Sequence, residues 1–165
     1  MNRKNIITVL LALFMIMQCI RPPTTAQAGA KDSYISKTAY DACMKYGKEY
    51  GICPELIMAI IETESSGDPK AVNGSCKGLV QVSQRWHKDR AKKLGVKSLY
   101  DERGNIHVGT DYLAELFDKY GDAATVLMVY HGEKSAVKKA KSGEISGYAK
   151  GILERSAELE KLHGK

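Results

Sequence analysis

The sequence predicts a mainly α-helical single domain built around one buried helix. Three observations carry that expectation. Residues 54–65 include Leu56 to Ile61 without a polar break, so this helix is apolar nearly all round and belongs inside the molecule. Elsewhere apolar residues recur at three- and four-residue spacing, in stretches opened by capping residues or closed by glycine. No stretch alternates like a half-buried strand, and Val80-Gln81-Val82 is too short to count as one.

Taken in order, residues 1–30 stand apart from the domain. Arg3 and Lys4 precede an almost wholly apolar run from Ile6 to Ile20, and Ala26-Gln27-Ala28 offers a small-residue cleavage site. That order predicts a secretory signal peptide over 1–30 and a domain over 31–165, with a secreted or cell-envelope location. An uncleaved membrane anchor is the alternative, but a span needs ~20 apolar residues and this run is shorter. A lipoprotein signal at Cys19 is disfavoured by Gln18, where a small residue is wanted. No membrane contact is expected after cleavage.

A helix is expected over 36–50, on Ala39, Cys43, Met44, Tyr46 and Tyr50, with Gly51 as its stop. Helix 54–65 starts on Pro54, whose missing N–H costs nothing in a first turn. Residues 66–77 are rich in turn signals, and a loop of that length in a small domain is often functional. Further helices are expected from Ser83 to Lys93 or Leu94, from Asp101 or Asn105 to Gly121, and from Ala123 to Tyr130 behind Asp122. A short one near Ser135–Lys141 and a last one over about Ser146–Leu162 complete the set.

Without residues 1–30 the chain keeps 22 basic and 19 acidic groups, a net +3. This mild excess suits an acidic polymer. Most Lys and Arg are interleaved with Asp and Glu at helical spacing, which predicts solvated helix faces and no nucleic-acid partner. Cys43, Cys53 and Cys76 remain in the domain. For an exported protein, one disulfide with a free thiol is expected, Cys43–Cys76 ahead of Cys53–Cys76, with three buried thiols as the alternative. No Cys-x-x-Cys occurs and no His lies near these cysteines, so neither a metal site nor a cofactor is expected.

The end of helix 54–65 carries the chemistry. Helical spacing puts Glu64 on the stripe of Ile57, Ile60 and Ile61, while Glu62 aligns with Glu55 on a face that can be wet. A carboxylate on an apolar face, at the negative end of a helix dipole, sits where ionisation is opposed. General acids working near neutral pH are made in this way.

Several motifs then follow in order: Glu64-Ser65, Gly78-Leu79-Val80-Gln81, Asn105-Ile106 with Gly109-Thr110-Asp111-Tyr112-Leu113, Tyr130-His131-Gly132, and Tyr148-Ala149. The series resembles the soluble lytic transglycosylase (SLT) family over roughly residues 37–155. Each motif alone is weak, but five in order are specific. The resemblance implies a lysozyme-like fold whose buried helix ends in the catalytic Glu. It also implies a peptidoglycan lytic transglycosylase, a lyase cleaving the MurNAc–GlcNAc β-1,4 bond with formation of 1,6-anhydro-MurNAc.

Residue by residue, Glu64 matches the single catalytic acid, acting as acid and then base. Ser65, Gln81, Tyr130, His131 and Tyr148 match substrate-binding positions, while Asn105, Gly109 and Tyr112 match positions that mainly support the fold. Two departures stand out. Val80 replaces the family's Met, and His131 replaces an Asn, which bears on efficiency or pH range. Trp86-His87 also departs from the family's Pro-x-Thr and is expected to alter the neighbouring wall.

The partner implied is the peptidoglycan glycan strand, met by a monomer. Wall turnover, spore biology, or local wall opening for a conjugation or secretion apparatus are the settings such a domain suits. Two other classes remain open at this point. One is a hydrolytic muramidase of the goose-lysozyme type, and the other is a non-catalytic wall-binding or assembly protein on the same fold.

Overall fold

Seven helices and three two-residue strands make up residues 33–165, the part of the chain that the computed structural model describes. The signal peptide expected over 1–30 lies outside the described residues. The helices are α1 (Lys37–Tyr50), α2 (Pro54–Ser65), α3 (Gln84–Lys93), α4 (Glu102–Tyr120), α5 (Ala123–Tyr130), α6 (Ala136–Lys141) and α7 (Gly147–Leu162). Between α2 and α3 run β1 (Val72–Asn73), β2 (Cys76–Lys77) and β3 (Val82–Ser83). They form one antiparallel sheet in that order, pairing Asn73 with Cys76 and Lys77 with Val82.

Local chemistry sets the helix starts. The side chains of Ser36, Asp101, Asp122 and Ser146 accept from Ala39, Gly104, Thr125 and Ala149 N–H groups, each satisfying a donor the first turn leaves free. Helices α2, α3 and α6 start without a side-chain cap, and α3 shows why. Its Ser83 makes no cap, pairing instead with the Ser75 hydroxyl at 3.0 Å, and the helix breaks at His87.

Helix α2 is the centre of the core. Ile57, Met58, Ala59, Ile60 and Ile61 are all fully buried, each large side chain contributing about 1.5–3 kcal/mol by leaving water. It packs against α1 and α7, while α4 lies on α1, and α5 touches α4, α6 and α7. Among the described residues no helix is long and apolar enough to cross a membrane.

Helix α7 runs antiparallel to α2 and meets its three carboxylates in reverse order. Tyr148 reaches Glu64, Arg155 reaches Glu62, and His163 beyond the helix end reaches Glu55. The structure therefore corrects the helical-wheel reading. Glu55 and Glu62, expected on a wet face, are buried, and Glu64, expected on the apolar stripe, is half buried at the helix end.

The burial of Glu55 and Glu62 is possible because donors surround them. Glu55 binds His163 Nδ1 and Lys165 Nζ, both at 2.8 Å, and accepts from Cys53 Sγ at 3.1 Å. Glu62 accepts from Ser33 Oγ at 2.6 Å and from Arg155 Nε at 2.7 Å.

A second correction concerns the cysteines. No expected disulfide is present: Cys43, Cys53 and Cys76 are free thiols. Cys43 is fully buried on the inner face of α1, Cys53 faces Glu55, and Cys76 sits on β2, so each belongs to a different layer.

Two backbone approaches fix the sheet region against α4. Gly78 has φ of 74°, and a Cβ there would meet the Leu99 carbonyl at 2.3 Å and Asn105 Nδ2 at 2.5 Å. That close approach lets Asn105, itself buried, donate to the Lys77 and Leu99 carbonyls and accept from Val80 N–H. Asn105 thus pins the 77–80 turn, a supporting role. At Gly109 a Cβ would lie 2.4 Å from Val80 Cγ2, so Val80 is a packed core residue.

Candidate active site

Helix α2 ends where Ser66 enters the left-handed region at φ 52° and returns its N–H to the Glu62 carbonyl. The helix therefore stops one residue after Glu64, and the carboxylate is carried to its edge. Glu64 Oε1 accepts a hydrogen bond of 2.5 Å from the Tyr148 hydroxyl, which α7 delivers from its first turn. Burial, and then the Glu64 charge, push the Tyr148 phenol far above its ordinary range, so it stays a donor.

The His131 ring stacks on Tyr148, with centroids 3.9 Å apart and planes 20° from parallel. Glu64, Tyr148 and His131, drawn from three separate stretches of sequence, thus form one chain of contacts. The exposed His131 backs the tyrosine, and among the described residues no hydrogen bond joins it to Glu64 itself.

A groove of about 470 Å³ lies between the sheet, α3, α4 and the end of α5. Gln81, Trp86, His87, Tyr112 and Tyr130 line it, with Cys76 on β2. Burial first, and then the nearby charge of Glu64, raise the pKa values of two groove residues, Cys76 and Tyr130. Trp86 and His87 form part of the wall, as their departure from the family pattern led one to expect. His87 lies 4.4 Å from Tyr112 between ring centroids, and burial lowers its pKa, favouring the neutral ring.

The remaining expected residues have particular uses. Tyr130 donates its hydroxyl to the Val80 carbonyl at 2.6 Å, so its proton tethers α5 to the turn while its ring lines the groove. Gln81 sits at φ 49°, a conformation that non-glycine residues adopt at a cost and that clusters at functional sites. Its Nε2 donates to the Gly78 and Ala71 carbonyls, and its buried Oε1 has no partner among the described residues. Ser65 does not turn outward as a donor: its hydroxyl bonds the Ile61 carbonyl one turn back.

Two neighbours escaped sequence reasoning. Tyr112, expected mainly to support the fold, also lines the groove. Glu133, just past α5, is mostly buried, reaches Lys139 at 3.4 Å, and adds negative charge near Tyr148. Its loop position gave no periodic signal. Among the described residues no cluster of three or more His, Cys, Asp or Glu is arranged for a metal ion.

Chemically the site offers one half-exposed carboxylate fixed by a phenol, near an aromatic-walled groove. Comparison with known proteins points the same way. The family model of the transglycosylase SLT domain matches residues 41–150. The chain is 40% identical over 85 residues to the transglycosylase of Enterobacteria phage PRD1, covering 51% of this chain and 31% of that protein. It is 35% identical over 118 residues to membrane-bound lytic murein transglycosylase C of Yersinia pestis (strain Pestoides F), covering 55% of this chain and 33% of that one. The same figures hold for the transglycosylase C of Yersinia pseudotuberculosis serotype O:1b (strain IP 31758). The chain spans about a third of the length of these relatives.

Proposed function

The chain belongs to the transglycosylase SLT family, and from that premise we propose that it is an exported peptidoglycan lytic transglycosylase with Glu64 as its acid and base. The observation that carries this reading is the Tyr148–Glu64 contact. Tyr148 holds one carboxyl oxygen, leaving Oε2 to carry the proton.

In this reading Glu64 gives its proton to the oxygen linking MurNAc to GlcNAc as the C1–O bond breaks. The oxygen of the MurNAc acetamido group stabilises the positive anomeric carbon. The Glu64 carboxylate then takes the proton of the C6 hydroxyl, whose oxygen bonds C1 to close the 1,6-anhydro ring. The proton returns to Glu64 and no water is consumed. A pair of carboxylates, as ordinary glycoside hydrolysis uses, is not required, because the substrate supplies the second group.

Gln81, Tyr130 and the His131-backed Tyr148 serve this reading as substrate-facing groups. Gln81 lines the groove with its amide nitrogen anchored to the Gly78 and Ala71 carbonyls. Ser65 contributes by fixing the helix end. The domain acts in the envelope as a monomer, reached through the leader, on wall turnover or on local opening for a conjugation or secretion apparatus.

Glu133 favours a second reading, hydrolysis, because it supplies another largely buried carboxylate near Tyr148. Mass analysis of products from purified peptidoglycan separates the two. The expected muropeptides end in 1,6-anhydro-MurNAc; products one water heavier would assign the site to a hydrolase. Cleavage is expected to vanish in Glu64→Gln, and wall digestion at the native rate by that variant would remove Glu64 from the mechanism.

A further inference from the structure

The interleaving of charge expected from the sequence fails in one stretch. Residues 70–97 hold eight Lys and Arg against Asp89 alone, a net +7. The other described residues hold 13 basic and 17 acidic groups, a net −4. The molecule is therefore polar, with its positive side on the sheet and α3. Part of that charge is neutralised, since Arg90 pairs with Asp111 and Glu115 of α4. The lysines are not: among the described residues, no ion pair involves Lys77, Lys88, Lys92 or Lys97.

These four lysines line one groove of about 540 Å³, floored by Ala91, Val96 and Leu99. It is separate from the groove beside Glu64, and α3 divides the two. Trp86 and His87 line the active-site side, Lys88 and Lys92 the other. Strand β2 divides in the same way, with Cys76 on one side and Lys77 on the other. Lys70 and Lys77 both sit 5.4 Å from the centre of the Tyr100 ring at the groove's end.

We propose that this lysine groove binds a flexible phosphodiester polyanion, a polyol-phosphate chain of the wall, beside the strand being cut. The choice of a wall polymer rests on the envelope reading above; the anion binding does not. Four observations favour this chemistry. Unpaired lysines in one concave groove concentrate positive potential and attract repeated negative charge. The groove carries lysines and no arginine, so it offers mobile point charges, as phosphate-binding lysines do, rather than a planar fork that grips one carboxylate or phosphate in fixed geometry. Its one aromatic, Tyr100, is attended by two ammonium groups, and so is not a free platform for stacking nucleic-acid bases. A concave groove accepts a chain, whereas a membrane surface asks for a convex or flat basic face.

The test is fluorescence anisotropy of the full domain with labelled poly(glycerol phosphate), oligo-dT of equal charge and poly-glutamate. Binding to poly(glycerol phosphate) should weaken about tenfold in K88Q/K92Q/K97Q, with the salt dependence flattened by about two. Removing three exposed lysines elsewhere, in K134Q/K138Q/K141Q, should change it by less than about twofold, the effect of net charge alone. Glu64→Gln should leave polyanion affinity in place, and K88Q/K92Q/K97Q should still cleave uncharged soluble glycan, so each site is tested without the other. Equal weakening by both triple variants, or equally tight binding of oligo-dT or poly-glutamate, would overturn the proposal. Circular dichroism confirms that each variant is folded before it is compared.

Discussion

Helix α7 meets α2 in two regions that treat a carboxylate in opposite ways. Along the back of the pair, Glu55 and Glu62 are buried and each is paired with a cation, Glu62 with Arg155 of α7 and Glu55 with Lys165 beyond it. At the other end, Glu64 is half exposed and receives one phenol. A buried carboxylate needs paired charge or it destabilises the fold. A carboxylate that must give up and recover a proton needs the reverse: access, orientation, and no cation locking it in one state. The same helix pair supplies both environments, and the charge of the neighbour, cationic or neutral, distinguishes the two structural acids from the one proposed for the chemistry.

The largest expected effect breaks the chemical side. Glu64→Gln keeps the shape and the Tyr148 contact but removes the titratable proton, and cleavage should fall by about 10³-fold, within the usual range for general acid–base groups. Thermal unfolding should stay within about 1 kcal/mol of native, as at sites outside the core. The mirror experiment is Glu62→Ala. It takes away the carboxylate that Arg155 and Ser33 bind, and denaturant unfolding should show a loss of about 3 kcal/mol, the range for breaking a buried pair. If Glu62→Ala were as stable as Glu64→Ala, the division of α2 into two kinds of acid would fail.

Much of this architecture was legible in the sequence, and the parts that were not share a cause. Helix limits could be read because Ser36, Asp101, Asp122 and Ser146 cap locally, within three residues of their partners. Glu64 could be read because motifs around it follow in order. The burial of Glu55 and Glu62 could not, since a helix that is apolar nearly all round has no wet face to align against, and their neutralising cations lie 93 to 110 residues away. The two-residue strands are too short to alternate, and Gln81 gives no sign in its side chain of a positive φ. The cysteines misled because export suggested oxidation, whereas pairing depends on Cβ positions that no spacing reveals.

A smaller effect should appear in acid, and only on the structural side. Burial works against the charge of Glu55, but hydrogen bonds from Lys165, His163 and Cys53 outweigh it and hold the carboxyl down at about 2, from an ordinary 4.5. Above pH 4.5 both folded and unfolded chains are ionised there, and the contribution is fully present. Between 4.5 and 2 the unfolded chain takes up the proton while the folded one does not, so stability falls with pH and the contribution is gone below 2. The loss is on the order of 2 kcal/mol after allowing for the exposed Lys165 end. Denaturant titrations at pH 5 and pH 2.5 should show it in the native chain. Glu55→Gln should be less stable at pH 5 and lose less on acidification; an equally steep acid loss in that variant would place the titration elsewhere.

The smallest effects probe how the chemical side is held. Tyr148→Phe removes the one donor that the described residues give Glu64 while keeping the ring under His131. If the phenol orients the carboxylate, kcat should fall about tenfold, the scale of one hydrogen bond to a charged group, while KM moves little. If the phenol binds sugar instead, KM should rise and kcat should hold. His131→Ala then asks whether the ring behind Tyr148 matters to that orientation. Stacked aromatic pairs contribute about 0.5–1.5 kcal/mol, so kcat should fall about threefold, and His131→Phe, which can still stack, should restore it. Because each step acts through the next, the double variant Tyr148→Phe/His131→Ala should be no slower than Tyr148→Phe alone. Additive losses would mean that His131 reaches the substrate by its own route, and the contact chain from His131 to Glu64 would then be two independent parts of the groove.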